Sequence, residues 1–295
     1  MKKIISILLL TTVVVISVSL VLFALLCAGY KVYRDVSYGE LDNEAMDIYI
    51  PKEAYRRSSN GCVLFIHGGS WSGGDKREEE LRCRYVASRG YIAATMNYSL
   101  YSNDNKDEYT VDIVLNEIDM ALKRIKSFAE EMGIEVTMAA TSGYSAGAHL
   151  SMLYSYSRTD TAPLEIKFTS NMAGPADIRP DIWGDDLAKT IGERLSEKSI
   201  TDETLKNGEA NEVFNAISPV TYINSSTPPS IFMYGGRDTT VPIGNWESLK
   251  RKLDTVGVEY DFLFLPNATH SLINNPLKRL SYPKLLVSYC DKYFN

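Results

Sequence analysis

Apolar and polar positions along the chain fall into blocks of alternating kind. The first block is the leader, residues 1–30. After Lys2 and Lys3, the 25 residues Ile4–Ala28 carry no charge. Crossing the hydrocarbon core of a bilayer takes roughly 20 apolar residues, whereas the apolar part of a cleavable signal runs to roughly 7–15. The block therefore reads as a membrane anchor, with a signal peptide that is removed as the alternative. Basic residues stand on both sides (Lys2 and Lys3 against Lys31 and Arg34), so charge does not orient it. One long domain after an N-terminal anchor still suggests a domain outside the cytoplasm, or a secreted one if the segment is cleaved. Cys27 raises lipoprotein processing, but Leu26 is large where a small residue is expected.

From residue 31 to residue 295 the pattern switches between strand-like and helix-like runs. Strands are predicted at Lys31–Tyr38, Ala45–Ile50, Gly61–Ile66, Tyr91–Tyr98, Val136–Ala140, Ile166–Met172, Ser230–Tyr234 and Tyr260–Leu265. Gly61–Ile66 is apolar without interruption, as a strand buried on both faces would be. Helices are predicted at Glu78–Gly90, Asp112–Met132, Ala148–Tyr156, Asn245–Val256 and Pro276–Tyr293. The long one repeats Ile113, Leu115, Ile118, Leu122, Ile125 and Phe128 and closes at Gly133. Strands alternating with helices predict an α/β domain with a mostly parallel sheet flanked by helices. Residues 176–217 break the rhythm. That stretch is charged and poor in strand signals, and it reads as a small helical cap inserted between two strands.

Composition narrows the function. The chain of 295 residues is 45% hydrophobic, enough to bury a large core, and its net charge of −6 with no basic cluster argues against nucleic acid as a partner. Three histidines, His67, His149 and His270, limit any imidazole chemistry to those positions. Outside the leader stand Cys62, Cys83 and Cys290, with no metal-ligand spacing among them. Three buried thiols is the simplest reading, and one bridge plus a free thiol the alternative. Glu78, Glu79 and Glu80 are adjacent and do not share a helix face, so they read as a solvated face and not a metal site.

The chemistry concentrates at predicted strand ends, where open α/β sheets gather their functional groups. Gly143-Tyr144-Ser145-Ala146-Gly147 joins a strand to a helix, which puts the Ser145 side chain at the tip of a sharp turn. A serine hydroxyl needs a base to take its proton and an acid to orient that base. Asp238 follows one strand in Gly235-Gly236-Arg237-Asp238, and His270 follows the last strand. A fourth strand runs into His67-Gly68-Gly69-Ser70-Trp71, whose backbone N–H groups could meet an oxyanion together with the N–H of Ala146.

With Asn97-Tyr98, Ala148-His149-Leu150, Ser218-Pro219 and Val241-Pro242 added, this set resembles the α/β-hydrolase carboxylesterases that carry H-G-G-x-W. That branch includes hormone-sensitive-lipase-like, acetyl and feruloyl esterases and kynurenine formamidase. The resemblance covers nearly all of the chain after the leader. It implies Ser145 as nucleophile, Asp238 as acid, His270 as base, and oxyanion donors around Gly69, Ser70 and Ala146. Ser70 stands where many relatives have a third Gly or an Ala, a change that leaves a backbone donor in place. Trp71 and Tyr144 are candidates for substrate contact, with packing an equal reading for Trp71. His149 reads as a hydrogen-bonded core residue and His67 as a brace for the oxyanion loop. Asp177, also at a strand end, is the alternative acid.

The function expected is hydrolysis of a carboxylic ester, of a small or carbohydrate-linked substrate, through an acyl-enzyme, with no cofactor or metal. A peptidase or amidase of prolyl-oligopeptidase type is one alternative, although the chain has no room for the large gating domain usual there. A hydrolase fold without activity, used for binding, is the other.

Overall fold

The computed structural model describes residues 29–273 and 276–295, with the side chains of 276–280 left aside. The expected membrane anchor lies outside the described residues. Among the described residues no helix is long and apolar enough to cross a membrane.

The strands are β1 (Tyr30–Ser37), β2 (Ala45–Pro51), β3 (Asn60–Ile66), β4 (Ile92–Met96), β5 (Val136–Tyr144), β6 (Glu165–Met172), β7 (Ser230–Gly235) and β8 (Tyr260–Leu265). They form one sheet in the order β1-β2-β4-β3-β5-β6-β7-β8. β1 and β2 pair antiparallel, and β2 pairs antiparallel with β4. From β4 through β3 to β8 every pairing is parallel. The fold is the mostly parallel α/β sheet that the alternating pattern predicts.

Helices cover both faces. α1 (Glu80–Ser88) and α9 (Pro276–Tyr293) lie on one, and α2 (Val111–Glu130), α3 (Ala146–Ser157) and α8 (Gly244–Val256) on the other. β3 shows why its sequence has no polar position. Cys62, Leu64 and Ile66 face the core beneath α2 and α3, and Val63 and Phe65 face the core beneath α1 and α9. In α2, Leu115, Ile118, Leu122 and Ile125 are buried as the period predicts, but Ile113 is 36% exposed and the neighbouring Val114, not among the predicted positions, is buried. Glu117 is buried on this helix instead, where its carboxylate accepts from the N–H and O–H of Ser99.

Many element boundaries lie one or two residues from those predicted, and two differences have a physical cause. β5 runs on through Thr141, Ser142 and Gly143 to Tyr144, although the apolar run ends at Ala140. Thr141 stays in the sheet because its hydroxyl finds partners inside the fold: Oγ1 lies 2.7 Å from both Ser151 Oγ and Ser155 Oγ. The stretch from Glu78 begins as a tight turn capped by Asp75 and becomes α-helical only at Glu80. Glu78 is exposed as expected, but the other two glutamates correct the expected solvated face. Glu79 is 1% exposed and pairs with Arg82, and Glu80 pairs with Arg34 and Arg84. Cys62, Cys83 and Cys290 are buried free thiols.

Between β6 and β7 come four α-helices, α4 (Pro180–Trp183), α5 (Asp185–Ser196), α6 (Asp202–Asn207) and α7 (Asn211–Ile217), and then a 3-10 turn at Pro219–Tyr222. Ala188, Ile191, Leu195, Phe214 and Ile217 from these helices join the core under α2 and α3.

Candidate active site

The connection between β5 and α3 is as tight as backbone allows. Ser145 holds φ 54° and ψ −122°, a conformation that costs a non-glycine residue strain. The strain is held in place on both sides: the Ser145 N–H donates to Met172 O at 2.9 Å, and Ser145 O accepts from the His149 N–H at 3.0 Å. A Cβ at Gly147 would stand 2.0 Å from Ile66 O, and one at Gly143 2.2 Å from the Gly147 carbonyl carbon. The two glycines therefore let the turn press against the end of β3, which leaves Ser145 Oγ facing the loops beyond the strands.

His270 reaches that hydroxyl from the loop after β8. Its Nε2 lies 2.9 Å from Ser145 Oγ, and its Nδ1 2.8 Å from Asp238 Oδ2. A carboxylate only accepts, so the proton sits on Nδ1 and the Nε2 lone pair faces the serine. Asp238 is held in turn. Its side chain is 1% exposed, and Oδ1 accepts from the N–H groups of Thr240 at 2.8 Å and Val241 at 2.9 Å. Tyr144 supports the imidazole from below, its O–H donating to His270 O at 3.0 Å with ring centroids 5.1 Å apart.

Asp177, the other candidate acid, is engaged elsewhere. Its fully buried carboxylate takes both Nε and Nη2 of Arg179, at 2.7 and 2.5 Å, and the Ser248 hydroxyl.

The loop after β3 is also strained. Gly69, Ser70 and Trp71 have φ of 117°, 53° and 61° in succession. At Gly69 a Cβ would meet Gly73 O at 2.1 Å, so only glycine fits. Among the described residues no acceptor takes the N–H of Gly69, Ser70 or Ala146. The carbonyls of the loop are tied down: Gly69 O accepts from Ser72 N, Trp71 O from Tyr101 N, and Ser70 O from Arg194 Nη1 of α5 at 3.0 Å. His67 stacks on Tyr98 at 4.3 Å, and burial pushes its basicity down. Its Nδ1 lies 2.8 Å from Gly68 O.

His149 and Trp71 form a single unit. The indole N–H of Trp71 donates to His149 Nδ1 at 3.1 Å, and His149 Nε2 lies 2.7 Å from Ile217 O. An indole nitrogen only donates, so Nδ1 is bare and the imidazole is neutral with its proton on Nε2. Burial agrees, pushing the His149 pKa down to about 4. One histidine thus joins the loop carrying Gly69 and Ser70, the helix after Ser145 and the end of the β6–β7 insertion. Trp71 is 4% exposed and packs in the core. Among the described residues no cluster of His, Cys, Asp and Glu could hold a metal ion.

The sequence reading named Ser145, Asp238, His270, Gly69, Ser70 and Ala146, and the structure brings all six to one end of the sheet. It missed two of the supports. The Tyr144 hydroxyl and Arg194 bind backbone carbonyls across separations of 126 and 124 residues, which no local pattern announces.

Comparison with known proteins gives a consistent picture. The BD-FAE family model matches residues 46–253. Esterase LipC of Mycobacterium tuberculosis (strain ATCC 25618 / H37Rv) is 22% identical over 246 residues, covering 80% of this chain and 59% of that protein. Isoprenylcysteine alpha-carbonyl methylesterase ICME of Arabidopsis thaliana is 22% identical over 261 residues, covering 84% and 59%. The chain spans roughly half to three fifths of the length of such curated relatives. Among solved structures, a truncated carbohydrate esterase from gut microbiota superposes with a TM-score of 0.71 at 16% identity, over 89% of this chain and 97% of that one. An esterase of Thermogutta terrifontis with propionate bound gives 0.68 at 20% identity, over 90% and 94%. The structural likeness shows the fold, and the family match carries the assignment: the chain belongs to the BD-FAE family, among the α/β-hydrolase carboxylesterases.

Proposed function

We propose that the protein is a serine hydrolase that cleaves a carboxylic ester through an acyl-enzyme intermediate. One observation carries the reading: Ser145 Oγ, His270 and Asp238 stand in a continuous hydrogen-bonded line, with spacings of 2.9 and 2.8 Å. In this reading His270 Nε2 takes the Ser145 proton as Oγ attacks the acyl carbon. Asp238 keeps the imidazole in the tautomer that can accept and offsets its charge once protonated. The carbonyl oxygen gains charge and turns to the N–H groups of Gly69, Ser70 and Ala146, which have no acceptor among the described residues to give up. His270 then protonates the leaving alcohol. Water, deprotonated by His270, repeats the sequence and releases the acid.

The ester names among the relatives and the carbohydrate esterase among the structural neighbours support a small or carbohydrate-linked ester as substrate. The insertion at 176–217 serves as the cap in this reading, since Arg194 reaches the Ser70 carbonyl from it. The uncharged run Ile4–Ala28 would hold the domain at a membrane, on the extracytoplasmic side.

Labelling by a fluorophosphonate tests the assignment directly. Wild type should be labelled at Ser145 and should hydrolyse p-nitrophenyl acetate. The Ser145→Ala chain should do neither while unfolding at a similar temperature. Label retained elsewhere, or turnover unchanged in Ser145→Ala, would reject it.

A further inference from the structure

Ser70 and Trp71 are successive non-glycine residues in the left-handed region, at φ 53° and 61°. A residue stays there only where its surroundings over-determine it. Trp71 is held twice, since its carbonyl accepts from the Tyr101 N–H at 2.8 Å and its indole N–H donates to His149. Ser70 is exposed, and among the described residues its backbone has one hydrogen-bond partner, Arg194 Nη1, 3.0 Å from Ser70 O.

Arg194 arrives from the insertion already oriented. It stands on α5 next to Leu195, which with Ile191 is packed in the core, so the helix that carries it is fixed. Its guanidinium lies 5.0 Å from the centroid of the Tyr101 ring, and that ring meets Tyr109, 2% exposed, edge-on. A planar cation seated on an aromatic face loses less freedom in making its hydrogen bond than a loose one.

The bond sets the direction of two donors. The Ser70 N–H belongs to the Gly69–Ser70 peptide, whose carbonyl accepts from the Ser72 N–H at 3.0 Å. With Ser70 O also held, the peptide planes on both sides of the Ser70 Cα are fixed. Water at Ser70 O would solvate it without fixing its direction. Released, Ser70 would relax toward the extended region that a serine prefers, and the N–H groups of Gly69 and Ser70 would turn away from a common point.

We propose that Arg194 is a positioning residue for the oxyanion donors: through this one guanidinium the insertion holds the N–H groups of Gly69 and Ser70 on the line that the developing charge will take. The proposal rests on the serine-hydrolase reading and adds that the insertion takes part in the chemistry as well as covering the site.

The test uses the full chain with p-nitrophenyl acetate and its thiono analogue, in which the carbonyl oxygen is sulfur. Sulfur accepts hydrogen bonds poorly, so the preference for the oxygen ester reports on the donors. Arg194→Met should lower kcat on the oxygen ester by about 10–100-fold, short of the roughly 10²–10³ lost with a whole donor, and should leave KM nearly unchanged. The oxygen-over-sulfur preference should fall about tenfold with it. Arg194→Lys keeps a charged donor, should lose less than Arg194→Met, and still reads the preference if the Met variant unfolds. A kcat within about twofold of wild type in both variants overturns the proposal, and so do equal losses on the two esters, the mark of a general disturbance of the fold; either result leaves Ser145 in place as nucleophile. A wild type that hydrolyses neither ester and takes no fluorophosphonate label overturns the serine-hydrolase reading itself, and this proposal with it.

Discussion

Acid should weaken this protein through His149, by an amount the structure fixes. The imidazole is fully buried and neutral, with its bare Nδ1 facing the Trp71 indole N–H and its Nε2–H facing Ile217 O. Neither neighbour can accept a second proton's hydrogen bond at Nδ1. Burial holds the folded pKa at about 4, against about 6.5 for the unfolded chain. Between those values the unfolded state binds a proton that the folded state refuses, so stability is lost as pH falls through the window. A separation of about 2.5 units corresponds to about 3 kcal/mol once pH is below 4, and to about 2 kcal/mol at pH 5. His149→Gln is the control, since an amide can accept from Trp71 and donate to Ile217 without titrating. Urea unfolding at pH 7.5, 6, 5 and 4.5 should show the wild type losing about 2 kcal/mol more than His149→Gln between the first and third of these. Subtracting the variant removes the other buried groups, among them His67, which acts in the same direction, and Glu79 and Glu117. Burial raises the pKa of both carboxyls, so they act in the opposite sense. Parallel curves for the two proteins would mean that His149 is charged in the fold, and the tautomer assignment would fall with it.

Three other outcomes follow from the geometry. Asp238→Asn keeps an acceptor for Thr240 and Val241 but not the Nδ1 tautomer, so kcat on p-nitrophenyl acetate should drop by about 10³–10⁴ with little change in unfolding temperature; a loss under tenfold would count against Asp238. Gly147→Ala places a methyl 2.0 Å from Ile66 O, a backbone atom that cannot swing aside, and should cost about 3 kcal/mol in chemical unfolding. Trp71→Phe leaves His149 Nδ1 buried without a donor, which should cost about 1–3 kcal/mol, and should lower kcat more than it raises KM because Trp71 adjoins Ser70.

What the sequence could tell depended on whether the cause was local. β3 announces itself because burial on both faces demands an unbroken apolar run, and β8 occupies the residues predicted for it. The turn at Ser145 is legible for the same reason, since two glycines at fixed offsets are a local steric requirement. β5 was cut short at Ala140 because Thr141 and Ser142 look like loop residues until the hydroxyls of Ser151, Ser155 and Thr169 are set around Thr141. Glu79 and Glu117 were placed outside or passed over because a carboxylate is buried only when a partner waits, and Arg82 and Ser99 are known to wait only in three dimensions.

The same distinction separates the reacting groups from the groups that hold them. Ser145, Asp238 and His270 each sit just past a strand, so the parallel sheet alone carries them to one edge. The supports obey no such rule. His149 lies 78 residues from Trp71 and 68 from Ile217, and it reaches both because α3 packs between the β3 loop and the end of the insertion. A core histidine was the right expectation for its burial, but burial does not say what it joins. The contact changes the meaning of Trp71 as well. An indole in a motif beside the oxyanion loop suggests a wall for the substrate. Here its N–H is already committed to His149 and its ring lies in the core, so its influence on an ester must pass through the position of Ser70.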